Sequence, residues 1–151
     1  MDLKEFITLE QISAENNLNT KEEFFSKIAE IALKSGIITS EEEVIEGLKA
    51  REAKGSTGLL DGFAIPHAQN DTIKRAAVVI VKSSNRVEWE SLDEQPVGTA
   101  ICLLVPKDQA GTTHIDFLTE VSRLLMDDEF RSELNKLNDS KSIYNLLLER
   151  L

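Results

Sequence analysis

The side chains of this chain best suited to covalent or acid–base chemistry near neutral pH are two histidines, His67 and His114, and one cysteine, Cys102. His67 stands in "LLDGFAIPHAQN", directly after Pro66 at the end of an apolar run. A neutral imidazole there is either the ordinary end of a strand or a nucleophile. Cys102 lies inside the most apolar run, "VGTAICLLV" (97–105). It reads as a small buried hydrophobe, because a reactive thiol needs an electropositive, partly open site. Two histidines and one cysteine do not announce a zinc site. "GSTGLLDG" lacks the Lys-Ser/Thr of a nucleotide-binding loop. No metal and no cofactor is expected.

His114 is placed more tellingly than composition requires. Thr113 and Asp116 have capping-box spacing, which makes His114 the first residue of a helix. His114, Leu118, Val121 and Leu125 then step along one apolar stripe. An imidazole at a helix N-terminus meets the positive end of the dipole, which favours its neutral form and lets its N–H serve an anion. Arg51 falls in the last turn of an earlier helix, where a cation suits the dipole, and Ser56 and Thr57 read as turn residues. If His67, His114 and Arg51 converge, they make a small anion site.

The elements that must position these groups are legible in outline. Thr20 and Glu23 form a capping box ahead of Phe24, Ile28, Ile31 and Ala32, and the helix stops at Ser35-Gly36. Ser40 caps a second helix that turns Val44, Ile45 and Leu48 inward and ends by Gly55. "FAIP" (63–66), "AAVVIVK" (76–82) and 97–105 read as strands, and Val87 and Trp89 as a half-exposed one. After Pro106 the helical period returns, with Asp127-Asp128 breaking the first stretch in two. Helices, then strands, then helices predict a mixed sheet covered by helices.

The 151 residues fit one domain, 1–151, large enough to bury about two-thirds of its unfolded surface. Net charge is −10, from 17 Lys+Arg against 27 Asp+Glu, which weighs against nucleic acid or an anionic membrane as partner. No apolar stretch approaches the roughly 18 residues of a membrane span. "MDLKEFITLE" lacks a signal-peptide core, and a lone cysteine suits a reducing compartment. These readings predict a cytoplasmic protein.

"REAKGSTGLLDGFAIPHA" (51–68) resembles the active-site segment of enzyme IIA domains of the bacterial phosphoenolpyruvate-dependent sugar phosphotransferase system, fructose–mannitol class. "VEWESLDEQPV" and "THIDFL" resemble that class's Val-x-Trp turn and second-histidine segments, so the likeness runs from about Leu9 to Leu151. Two positions depart from it: Arg86 and Glu94 stand where the class commonly has glycine, which puts local turn geometry in question. The resemblance implies an α+β fold, three-layer α/β/α, with a mixed sheet of about five strands flanked by helices on both faces. It implies phosphorylation of His67, a hydrogen bond from His114 to the phosphoryl group, electrostatic support from Arg51, and a loop at Ser56 and Thr57 beside the site.

A phosphotransferase of this class takes its group from phospho-HPr and passes it to a cysteine of enzyme IIB. No IIB or IIC segment is read in residues 1–151, so the acceptor is expected in trans. The alternative is a nitrogen-related regulatory IIA paralogue, in which phosphorylation of His67 controls binding to target proteins. Both keep His67, so the motif does not separate them, and a nonreactive structural domain is the blandest option.

Overall fold

The computed structural model describes residues 2–109 and 111–151. Five strands and five longer helices follow one another as β1 (Ile12–Asn16), α1 (Lys21–Lys34), α2 (Glu41–Ala53), β2 (Phe63–Ala64), β3 (His67–Asn70), β4 (Ala77–Val87), β5 (Val97–Pro106), α3 (Thr112–Leu125), α4 (Asp128–Asn135) and α5 (Ser140–Arg150). The sheet is mixed. β1 runs parallel to β4, β4 antiparallel to β5, and β2 and β3 both pair parallel with β5, one after the other along its outer side. Alternation divides the core in two. Val79, Val81, Ala100, Cys102 and Leu104 face α1 and α2, whereas Val78, Ile80, Ile101, Leu103 and Val105 face α3, α4 and α5. A strand buried on both faces has to be apolar nearly throughout, as β5 is, with Thr99 its one polar residue.

Local signals act where the sequence places them. Thr20 Oγ1 accepts from the Glu23 amide at 3.1 Å, and Ser40 Oγ from that of Glu43 at 3.2 Å. Gly36 takes φ 73° after α1, and the Gly36 and Ile37 amides donate to Leu33 and Ala32 carbonyls, closing a Schellman motif. Asp127 accepts from the Glu129 and Phe130 amides and starts α4 where the acidic pair was expected to break the helix.

Three expectations change. α3 begins at Thr112 with Gly111 as N-cap and no side-chain cap, so Thr113 is helical and His114 is the third helical residue, not the first. "FAIP" is not one strand: the ladder breaks at Ile65-Pro66, where proline has no N–H to donate, although the Pro66 carbonyl still accepts from Leu103 at 3.0 Å. Trp89 lies beyond the end of β4 and is buried, not a half-exposed strand residue. β1 is an addition, since residues 12–16 carry too short a pattern to stand out.

Buried polar groups tie the layers together. Lys82 Nζ donates to the carbonyls of Leu134 (2.9 Å), Asn135 (3.0 Å) and Leu137, satisfying the C-terminal end of α4 from within the sheet. Gln11 Nε2 donates to Val78 O at 2.7 Å, extending the sheet by one rung beyond β1.

Candidate functional site

The site is built on the sheet edge. Thr57 to Leu60 fold back over the outer side of residues 63–65, through an antiparallel bridge between Gly58 and Ala64 and a bond from the Ile65 amide to Thr57 O at 3.0 Å. This cover ends before β3, so His67, the first residue of β3, stands at the mouth of a cleft of about 470 Å³. Arg51, Lys54, Gln69, Asn70 and His114 line the same cleft. The structure thus brings together His67, His114 and Arg51, three residues from β3, α3 and α2.

Hydrogen bonds fix the tautomer of His67. Its Nδ1 lies 2.9 Å from the Ile65 carbonyl, which can only accept, so Nδ1 carries the proton. Its Nε2 lies 2.9 Å from Arg51 Nε, which can only donate, so Nε2 presents its lone pair. His67 is 7 % exposed. Burial is the main cause that holds His67 below the ordinary histidine pKa; Arg51 and His114 add to it, while the Ile65 bond and the Glu52 charge oppose it. The His114 ring centroid is 5.0 Å away, its plane inclined by 46°. Its pKa is also lowered, first by burial and then by Arg51. His114 Nδ1 and Asn70 Oδ1 are buried without a hydrogen-bond partner, so the cleft has polar capacity that the protein does not use itself.

Ser56 and Thr57 turn elsewhere. The Thr57 amide and hydroxyl donate to Glu52 Oε1 and Oε2 at 2.9 and 2.7 Å, and the Ser56 hydroxyl contacts Glu52 Oε1 and the Glu90 carbonyl. Neither hydroxyl is hydrogen-bonded to His67, and the Gly58 amide is taken by Ser56 Oγ at 3.1 Å. Gly58 is needed here because a Cβ would come within 2.2 Å of Glu90 O. Of the two departures from glycine, Arg86 lies within β4 and not in a turn, whereas Glu94 takes up left-handed backbone itself. Glu94 adopts φ 63°, and Asp93 accepts from the Asp61 and Gln95 amides at 2.9 and 3.2 Å.

Glu52, Trp89, Lys54 and Asn70 are the neighbours that sequence reasoning missed. Val44, Leu48 and Glu52 step by four along α2, so a carboxylate on the buried stripe was the available signal. Among the described residues, no three His, Cys, Asp or Glu side chains group as metal ligands would. The arrangement can do something simpler. It offers a neutral nucleophilic nitrogen, a cation beside it and a second imidazole, which is equipment for holding a tetrahedral anion.

The family model "Phosphoenolpyruvate-dependent sugar phosphotransferase system, EIIA 2" matches residues 5–150. The chain is 33% identical over 84% of its length to a fructose-specific EIIABC component of Mycoplasma pneumoniae, but spans only 18% of that protein. It is 30% identical to a nitrogen regulatory protein of Bradyrhizobium diazoefficiens, covering 97% of this chain and 95% of that one. In structure it is similar to nitrogen regulatory protein IIA-Ntr of Neisseria meningitidis, with a TM-score of 0.86, 26% identity, and coverage of 95% and 97%. It also shares the fold of enzyme IIA mannitol in its Escherichia coli complex with phosphorylated enzyme IIB, at a TM-score of 0.79 and 20% identity over 95% and 97% of the two chains. No helix among the described residues is long and apolar enough to cross a membrane.

Proposed function

The chain belongs to the EIIA 2 family of the phosphoenolpyruvate-dependent sugar phosphotransferase system, and on that basis we propose that it is a cytoplasmic phosphocarrier working through His67 Nε2. The observation that carries this is the tautomer: a carbonyl on Nδ1 and a guanidinium on Nε2 leave one nitrogen, and only one, with a lone pair to attack. The nucleophile needs no base, because it is neutral at the outset.

In the loading step Nε2 attacks the phosphorus of a phosphohistidine on the donor, taken to be phospho-HPr. The Nε2–P bond forms as the donor's N–P bond breaks, and that electron pair returns to the donor's ring. Arg51 moves from the lone pair to the equatorial oxygens as the bond forms, and the Nδ1–H bond to Ile65 O stabilises the positive charge the ring acquires. The His114 ring completes the donor set. In unloading, a cysteine thiolate of enzyme IIB attacks the same phosphorus, an S–P bond replaces the Nε2–P bond, and the lone pair returns to Nε2. Residues 1–151 act as one IIA domain on this reading, with IIB supplied in trans for a sugar of the fructose, mannitol or galactitol type.

The nitrogen regulatory protein covered over 95% of its length supports a second reading, in which the phosphorylation state of His67 governs binding to a target protein. Incubation with phosphoenolpyruvate, enzyme I and HPr, followed by mass spectrometry, tests what the two share. One acid-labile, base-stable phosphoryl group on His67 is expected, and a stable ester on Ser56 or Thr57 overturns the assignment. Transfer from the loaded protein to a IIB cysteine then favours transport over regulation.

A further inference from the structure

Glu52 is a buried carboxylate, 9 % exposed, whose hydrogen bonds are all to neutral donors. Its Oε1 accepts from the Thr57 amide (2.9 Å), the Trp89 indole N–H (2.9 Å) and the Ser56 hydroxyl (3.2 Å), and its Oε2 accepts from the Thr57 hydroxyl (2.7 Å). Trp89 is itself fixed, edge-on between Phe24 and Phe25 at centroid distances of 5.7 and 5.8 Å. A carboxylate placed there stands in the α1–α2 core only because these donors satisfy it. What the cluster immobilises is the chain from Ser56 to Thr57, the two residues that follow Gly55. The Gly55 carbonyl accepts from Arg51 Nη1 at 2.8 Å, and the same guanidinium places Nε 2.9 Å from His67 Nε2.

Resting on the phosphocarrier reading, we infer that Glu52 is a positioning residue for phosphoryl transfer: it anchors Ser56 and Thr57 to Trp89, fixes the Gly55 carbonyl, and so aims the Arg51 guanidinium at the reacting nitrogen. Arg51 alone, on the last turn of α2, has a long side chain with many rotamers. The Gly55 carbonyl selects one of them, and Glu52 holds that carbonyl in place. Glu52 and Arg51 are therefore adjacent in sequence but about 100° apart around α2, one turned toward Thr57 and Trp89 and the other toward His67.

Two variants divide the possibilities. Glu52→Ala removes every acceptor, and Glu52→Gln keeps one carbonyl oxygen for the Thr57 amide and Trp89 while removing the charge. Two readouts are taken on each folded variant: water exchange of the Arg51 Nε–H, followed by 15N NMR, and single-turnover loading across a range of phospho-HPr concentrations up to saturation. Glu52→Ala should lose the protection of Arg51 Nε–H and load about 10²-fold more slowly, with the half-saturating donor concentration unchanged. Glu52→Gln should recover part of both, with loading within about tenfold of wild type. A merely structural carboxylate would lower stability without moving the Arg51 signal. A protected Arg51 Nε–H or a wild-type loading rate in folded Glu52→Ala overturns the inference. Should Glu52→Ala not fold, Glu52→Gln decides: full protection and a wild-type rate together overturn it, and a partial loss of both supports it. If wild type itself fails to load, the phosphocarrier reading falls, and the exchange measurement still decides whether Glu52 positions Arg51.

Discussion

Arg51 Nε and His67 Nε2 lie 2.9 Å apart, so the nitrogen that would attack on the proposed phosphocarrier reading is the nitrogen a cation covers. Arg51→Ala has two opposed effects on loading. Uncovering the lone pair removes one hydrogen bond, a gain of about 0.5–1.5 kcal/mol. Losing a preorganised donor to the transferring group costs about 2.7–4 kcal/mol. The second wins, and loading should slow by about ten- to several-hundred-fold in a single-turnover assay; a faster variant would mean that Arg51 serves only as a cover.

The two histidines should separate by degree. His67→Ala removes the nucleophile and should abolish loading. His114→Ala removes one donor and should slow loading and unloading by about 10²–10³, with the group still mapping to His67. Loading of folded His67→Ala but not of His114→Ala would reverse their roles.

Both imidazoles are held below the ordinary value of about 6.5, chiefly by burial. Above that pH the folded and unfolded chains are both neutral at these sites, and their contribution to stability is complete. Below it the unfolded chain binds protons that the folded one refuses, so stability falls with pH until the folded values are passed. Thermal unfolding between pH 7.5 and 5 should show this decline, and His67→Gln with His114→Gln should flatten it. A decline unchanged in the double variant places its source in other groups.

Glu94 and Asp61 both adopt left-handed backbone, with φ 63° and 54°. Glu94→Gly relieves roughly 1–2 kcal/mol of steric cost against about 0.5–1 kcal/mol of added chain entropy, for a net gain of about 0.5–1 kcal/mol. Asp61→Gly relieves the same strain but removes the carboxylate that Arg131, 7% exposed, contacts at 2.7 Å. That charged contact is worth about 1.5–3 kcal/mol, so a net loss of about 1 kcal/mol is expected. Urea unfolding of the two variants checks the opposite signs.

Cys102 is wholly buried in β5, and burial pushes its thiol pKa up. Cys102→Ser should cost about 1–3 kcal/mol through a buried hydroxyl and leave loading intact. Loss of loading in a folded variant would give Cys102 a role its position does not suggest.

Much of this was written locally. Thr20 and Ser40 start helices and Gly36 ends one through bonds spanning only a few residues, and β5 announces itself by being apolar at every position but Thr99. What local pattern could not carry was convergence. Glu52 and Trp89 are 37 positions apart and meet only because α2 and the segment after β4 pack on one side of the sheet. The start of α3 was misplaced for a related reason: Thr113 offered a cap that the fold does not use, since Gly111 already turns the chain into the helix. Ser56 and Thr57 sat in the right loop, but the direction of a hydroxyl is set by its tertiary partner, here Glu52.

Two imidazoles with centroids 5.0 Å apart are two ligands of the type zinc and nickel favour, fewer than the three or four a protein site supplies. Arg51 opposes such an ion by its charge. Its guanidinium is a cation set on the lone pair a metal would need, so it repels a divalent cation and attracts an anion. The site thereby selects its guest by sign before shape enters, and the Arg51→Ala protein is the one that should begin to bind zinc.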